Sequence, residues 1–337
     1  MKKTPCTLAL LAGIMMMAVA AMAQTELPNT DIYLLEITKD KKENLVFQNP
    51  ALITKNDKYD NQPWWSPDGT YLLYSSARDT FKPDIYKYNL TDRKTSVIIN
   101  TPQTAEYSPA MMFDKVSISV VQVSRNDSDQ VLSKCDNKTD ECVNLFPKLK
   151  GLVGYYVWID ANRVALYMLG DPATLQVANL ATGKVDTVAE DVGRCIQKVP
   201  GKNVMIAFVD KSSNPWSIKI YDAKSGKITS VVRTLEEDED YCFMPDGSLL
   251  MGHGSELYRY VPPPSVIAPA TRTAPAQTQT GKKDDDKSEK KSDKKNPNAP
   301  WELVADFDGT PVEYFYRLAV SPKGDLIAIV TYEDEKP

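Results

Sequence analysis

A short phrase recurs along this chain at a spacing that leaves few folds open to it. Its clearest copy is Pro63-Trp64-Trp65-Ser66-Pro67-Asp68-Gly69, followed by Tyr71-Leu72-Leu73-Tyr74 and then Asp84-Ile85-Tyr86. Weaker copies stand at Ser108-Pro109, Val199-Pro200-Gly201-Lys202, Met244-Pro245-Asp246-Gly247 and Ser321-Pro322-Lys323-Gly324, with a more decayed one at Ile159-Asp160-Ala161-Asn162. In chain order the copies are separated by 42, 51, 40, 45 and 77 residues. A period of about 40 to 45 residues is that of propeller blades, and a unit of this size closes its core only by stacking on its neighbours.

Each copy reads as the start of a four-stranded unit. Pro-Asp-Gly supplies a fixed φ, a side chain that bonds nearby backbone and a residue at ease with positive φ, which together make a tight hairpin turn. The flanking runs, Tyr71 to Tyr74, Val204 to Val209, Leu249 to Met251 and Leu326 to Val330, are short and rich in branched or aromatic residues, as strands are. A third strand such as Glu256-Leu257-Tyr258 follows, and a fourth comes after turns such as Ala223-Lys224-Ser225-Gly226-Lys227. The chain also opens and closes in half units: Asp31-Ile32-Tyr33-Leu34-Leu35 matches a third strand, and Ser321 to Tyr332 supplies first and second strands. Pairing the two halves seals a ring and hides its sheet edges. The expected fold is all-β, a six-bladed β-propeller over residues 24–337 closed by its N- and C-terminal half blades.

The phrase Trp65-Ser66-Pro67-Asp68-Gly69, with Ser75-Ser76-Ala77-Arg78-Asp79 and Asp84-Ile85-Tyr86 downstream, resembles the WD40-like repeat of the TolB propeller family. The match is specific over residues 60–100 and looser over the rest of 31–333. This resemblance implies a six-bladed ring that acts as a periplasmic or extracellular binding protein. Its implied partner is an envelope protein or peptide, peptidoglycan-associated lipoprotein being one candidate. There is a departure as well. TolB carries an α/β domain before its propeller, whereas here the first strand begins within about ten residues of the leader, so a role needing that domain is not expected.

Met1-Lys2-Lys3, the apolar stretch Leu8 to Ala21 and the small-x-small site Ala21-Met22-Ala23 read as a secretory signal peptide over 1–23, with a mature start at Gln24. The stretch is short for a membrane span, and no other segment is long and apolar enough for one. Loss of Lys2 and Lys3 moves the formal charge from -5 to -7, which gives no reason to expect nucleic acid or anionic lipid as a partner. Four cysteines remain in a compartment that permits disulfides. Cys135 and Cys142 flank a polar turn between strand-like runs, so a hairpin disulfide is expected, worth about 2 to 3 kcal/mol for so short a loop. Cys195 and Cys242 stand near the starts of first strands in successive blades; a second bridge is open to them, although their registers differ by two residues. A monomer is expected.

Residues 262–300 interrupt the blade that begins at Met244. They run from Pro262-Pro263-Pro264 through an Ala/Pro/Thr/Gln stretch into a tract of Lys, Asp, Glu and Ser, with almost nothing to bury, and are expected to be disordered. The segment is either a tether or a solvated insertion at a hairpin tip, and the second is favoured because loop entropy makes it cheap. His253, the single histidine, sits in Gly252-His253-Gly254 and reads as a turn residue without an accompanying nucleophile motif. One histidine cannot form a multi-histidine metal centre, and no metal or cofactor is expected. The acidic run Glu236 to Asp240 lacks the glycine and alternation of a calcium loop and reads as a solvated loop.

The residues at the starts of the first strands form the candidate site. Asp60, Asn61, Tyr107, Tyr155, Arg194, Tyr241, Tyr316 and Arg317 would ring one opening of the central channel. Tyrosines interleaved with Arg and Asp have the composition of recognition surfaces, the alternative being that some of them pack between blades. The leading expectation is a non-catalytic periplasmic or secreted module that binds a protein or peptide. The alternatives are a carbohydrate- or ester-active enzyme using carboxylates and calcium, and a structural subunit of an envelope assembly.

Overall fold

The computed structural model describes residues 27–79, 82–124, 128–202, 204–236, 238–267 and 300–332. The expected leader, 1–23, and residues 268–299 of the expected insertion lie outside the described residues.

Six four-stranded antiparallel sheets follow one another along the chain. Blade 1 spans 60–99, blade 2 104–144, blade 3 152–190, blade 4 192–233 and blade 5 241–306. Blade 6 is composite, with Phe315–Val320 and Leu326–Tyr332 as its inner strands and Thr30–Lys39 and Leu45–Leu52 as its outer ones. The closing ladder runs in register from Thr30 opposite Tyr332 to Glu36 opposite Leu326. The two half blades expected at the termini therefore meet, and the physical reason is the one expected: alone, each would leave a long apolar edge unpaired.

The hairpin turns that carry the repeated phrase behave as their chemistry requires. Gly69, Gly247 and Gly324 all lie at positive φ, between 71° and 86°. Ser66 Oγ accepts from the Thr70 and Tyr71 backbone amides, and Ser321 Oγ does the same for Asp325 and Leu326, so these two turns are tied by their own serines, while in the Gly247 turn Asp246 accepts from Ser248. The core lies between blades. At the closing seam Ile32, Leu34, Ala328 and Val330 of blade 6 pack against Trp65, Leu72, Tyr74 and Tyr86 of blade 1. Full burial of one large apolar side chain is worth roughly 1.5 to 3 kcal/mol, so a seam of this kind holds neighbouring blades firmly.

Cys135 and Cys142 form the expected disulfide across directly opposed hairpin positions. Cys195 and Cys242 are separate buried thiols, so the second bridge is not made. The register difference decides it: Cys195 packs among residues of blades 4 and 5 and its Sγ donates to the Tyr241 carbonyl, while Cys242 packs among residues of blades 5 and 6. Adjacent strand positions point to opposite faces, so a thiol next to Tyr241 in sequence faces away from Cys195. The interrupted segment 262–300 also begins in ordered chain. Pro264–Ile267 form one helical turn, and Val266 packs on the core of blades 4 and 5. On the far side Trp301 is 2% exposed and its indole N–H donates to the Arg233 carbonyl at 2.8 Å, so the insertion is anchored at both of its roots.

Candidate functional site

Five of the six inner strands break register close to their starts, at one level of the ring. The breaks fall between Asn61 and Trp64, Tyr107 and Ala110, Val153 and Tyr155, Val192 and Ile196, and Phe315 and Arg317. A bulge adds local twist and re-aims the side chains around it. Gln62 (φ 57°) and Ser108 (φ 52°) adopt left-handed backbone at these bulges, a conformation that costs residues other than glycine about 1 to 3 kcal/mol. Part of that cost is offset locally, because Gln62 Oε1 accepts from the Ser108 amide at 2.7 Å and from Ser75 Oγ at 3.0 Å.

At this level a polar network crosses the channel. Arg317 of blade 6 donates to Asn61 Oδ1 of blade 1 at 3.2 Å and to the Tyr155 hydroxyl of blade 3 at 3.3 Å. Blades 6 and 3 stand opposite one another in a six-membered ring, so the second bond spans the channel. Asn61 Nδ2 also donates to the Tyr316 hydroxyl. The guanidinium carbon lies 5.2 Å from the centroid of the Tyr155 ring and 5.9 Å from that of Tyr316, within cation–π range. Burial pulls the Arg317 guanidinium down, but Tyr155 and Asp240 outweigh it and the net direction is strongly upward. Beside it, Arg194 donates to Asp240 Oδ2 at 2.5 Å and lies 3.5 Å from Glu239 Oε1, while Lys211 pairs with the other Glu239 oxygen at 2.8 Å. Gly193 makes this possible: Glu239 Oε2 accepts from the Arg194 amide at 3.0 Å, and a Cβ on Gly193 would lie 2.6 Å from that same oxygen.

Tyr155, Arg194, Asp240 and Arg317 of this network form the floor of a cavity of about 900 Å³ that extends toward the hairpin turns, as far as Pro67, Pro200 and Pro322. Above the floor the wall turns apolar and aromatic, with Trp64, Met111, Met112, Phe113, Val157 and Leu318. Phe113 is 51% exposed at the rim and packs edge-on to Trp158 at 6.5 Å. These wall residues were not expected from the sequence. Trp64 offered a signal, since it lies inside the repeated phrase beside Trp65. Trp65 is the buried partner of the pair and donates to the Ala319 carbonyl across the seam, which leaves Trp64 facing the opposite side of the strand.

Of the eight residues expected at the channel mouth, Asn61, Tyr155, Arg194, Tyr316 and Arg317 belong to the floor network. The other three serve the seams. Tyr241 is 1% exposed in the core shared with Val209, Ile218 and Met251, and burial pushes its hydroxyl pKa far up. Tyr107 packs edge-on to Tyr59 and on the core of blades 2 and 3 and does not line the cavity. Asp60 is fully buried, accepts from Asn56 Nδ2 at 2.5 Å, and burial pushes its carboxyl up to about 6 against the opposing pull of Ser76 and Arg78. A second buried carboxyl of this kind, Glu106, accepts from Thr101, Thr104 and Gln122, and its pKa is also raised by burial. The acidic run is only partly solvated: Glu239 and Asp240 neutralise Arg194 and Lys211, with 17% and 11% of their side chains exposed. His253 Nδ1 lies 2.6 Å from Asp238 Oδ2, and neither residue lines the cavity. Among the described residues no three His, Cys, Asp or Glu side chains are grouped so as to hold a metal ion, and no helix is long and apolar enough to cross a membrane.

No family model matches the sequence, and no curated protein matches it. Solved structures do match in fold. A putative TolB from Agrobacterium tumefaciens superposes with a TM-score of 0.59 at 12% identity, over 91% of this chain and 99% of that one. TolB from Acinetobacter baumannii gives 0.52 at 14% identity over 91% of this chain, which spans 64% of that protein's length. An oligogalacturonate lyase from Vibrio parahaemolyticus gives 0.47 at 10% identity over 90% of this chain and 98% of that one. The chain thus has the fold of TolB-like six-bladed propellers.

Proposed function

We propose that this protein is a non-catalytic binding propeller of the cell envelope, periplasmic or secreted, that takes a segment of a protein or peptide partner into the cup above the Arg317 floor. One observation carries the reading: a cavity of about 900 Å³ with a cross-linked polar floor and an apolar, aromatic wall. That size and that division of chemistry are typical of preformed binding sites, where a few placed polar groups orient the ligand and apolar walls supply contact area. The ring is held by interblade cores and closed by a seven-pair ladder, so a ligand meets a surface that needs little reordering, which lowers the cost of binding. The TolB-like fold and the secretory leader read from the sequence support an envelope setting.

The test uses the protein as a bait on envelope extract, with retained partners identified by mass spectrometry and their affinities then measured singly. Trp64→Ala and Phe113→Ala should each weaken the retained partner's affinity by about thirtyfold, the cost of losing an aromatic anchor, while His253→Ala leaves it unchanged. Unchanged affinity in both cup variants would move the site elsewhere on the ring. Turnover of a glycan or ester that is lost in Asp240→Asn would replace binding by catalysis.

A further inference from the structure

Taking that binding reading as its basis, we propose that the cup recognises a free carboxylate, that of a peptide C-terminus inserted end-first, and that Arg317 is the residue that grips it.

The charges point this way. The whole chain is formally negative at -5, yet the cavity is lined by Arg194, Arg317, Lys115 and Lys198 against only Asp68 and Asp240. Most of these are accounted for within the protein. Arg194 is held by Asp240 and Glu239, and Lys198 donates to the Ile159 carbonyl at 2.9 Å. Arg317 is different. Its hydrogen bonds go to two neutral oxygens, Asn61 Oδ1 and the Tyr155 hydroxyl, and among the described residues no carboxylate forms a direct ion pair with it; Asp240 favours its charge from a distance but is itself bonded to Arg194. A guanidinium has five N–H donors in a planar fork, so donors remain beyond those two bonds. A carboxylate matches that fork bidentately, and such charge-assisted pairs are about twice as strong as neutral hydrogen bonds. Asn61, Tyr155 and Tyr316 hold the fork in place beforehand.

The shape of the cup selects the kind of carboxylate. Arg317 lies at its floor and Pro322 at its rim; the inner strand carries three residue steps from Arg317 to Val320, about 10 Å at the usual strand rise, before the turn that holds Pro322. An extended peptide of about three to five residues spans that depth. Its terminal carboxylate reaches the floor directly, whereas an internal Asp or Glu could do so only if the chain doubled back between Trp64, Met111 and Phe113. The wall also suits a peptide better than an alkyl chain. Each inner strand is the edge of its sheet, with no further strand on its channel side, so a ligand's own backbone can run alongside it.

The experiment uses the full chain and a pool of hexapeptides with apolar residues at the last four positions, synthesised once as free acids and once as C-terminal amides. Retained peptides are quantified by mass spectrometry, and the best are titrated singly. Free acids should be held about thirtyfold more tightly than their amides. Arg317→Gln should erase that preference, and Arg317→Lys should restore part of it. Should the Arg317 variants not fold, the acid-against-amide ratio on the unaltered protein decides alone. Equal retention of acids and amides, a preference that survives in Arg317→Gln, or retention of neither pool would each overturn the carboxylate grip. Decanoate that displaces the acids at equal concentration would overturn the peptide and assign the carboxylate to a lipid acid. The two readings fail separately: acids and amides held equally but both lost in Trp64→Ala leave peptide binding standing, and retention indifferent to Trp64→Ala removes the cup itself.

Discussion

The two ends of the channel are built from the same six strands yet differ in almost every physical respect. At the strand starts the backbone bulges, two residues take left-handed conformations, carboxyls such as Asp60 and Glu106 are fully buried, and Arg317 bonds across to Tyr155. At the strand ends the backbone runs regularly into hairpin turns, and Trp64, Met111 and Phe113 line an open cup. Strain and buried charge at one end are tolerated because the regular, apolar seams around them are strong enough to hold them. The difference teaches that one end keeps its shape and the other receives.

The largest expected effect tests the buried carboxyl end. Asp60 has a carboxyl raised to about 6 from an ordinary 3.8, so the folded state binds its proton more tightly than the unfolded chain does. Stability from this group is therefore present at low pH and lost as pH rises through about 4 to 6. Asp60→Asn removes that dependence. The stability difference between the two proteins should change by on the order of 2 to 3 kcal/mol between pH 4 and pH 7, measured by urea denaturation. A constant difference would show that Asp60 ionises normally and that this end is wetter than described.

Next comes the ion network of the floor. Asp240→Ala leaves Arg194 with only the longer contact to Glu239, in a site that exposes 38% of the Arg194 side chain. Unpairing a fully buried charge costs about 3 to 5 kcal/mol, and solvent screening here reduces that to about 2 kcal/mol, a fall of roughly 4 °C or more in Tm. A melting curve that does not move would make the floor an ornament of the cup and not its support.

The cup should respond in the opposite sense. Phe113→Ala, at a position 51% exposed, should alter stability by no more than about 0.5 kcal/mol while it weakens the partner, so affinity and Tm separate cleanly. Parallel losses in both would erase the contrast between the ends. Tyr316→Phe is subtler. It removes the hydroxyl that Asn61 donates to and should cost about 1 kcal/mol without changing the wall, seen as a small shift in the urea midpoint at unchanged slope.

Much of the ring is legible in the order of residues. The repeat spacing, the Pro-Asp-Gly turns, the half blades at both ends and the Cys135–Cys142 hairpin all rest on local chemistry, and local chemistry is written in neighbouring residues. The site is legible by level but not by direction. Asn61, Tyr155, Arg194, Tyr316 and Arg317 stand at the same level in their strands as Tyr107 and Tyr241, but the first five are joined by polar contacts around Arg317 and Asp240, while the rings of the last two pack into the seams. A regular strand would let alternation settle this. Irregularities in five inner strands, one extra residue in four of them and two in blade 4, upset the alternation, and only Gly154 and Gly193 mark them in the sequence, as glycines inside strands.

The sequence by itself determined that this chain forms four-stranded units, that there are six, and that its ends must meet, because each of those outcomes follows from short-range turn and strand preferences repeated at a fixed period. Only the tertiary structure settles that Arg317 reaches Tyr155, that Glu239 and Asp240 turn inward to Arg194, and that Trp65 is buried in the blade 6–1 seam while Trp64 is only partly buried against the blade 1–2 core. The Arg194 pairings need only two consecutive blades to stack, whereas Arg317 and Tyr155, 162 positions apart along the chain, come into reach only when the ring closes and brings opposite blades face to face.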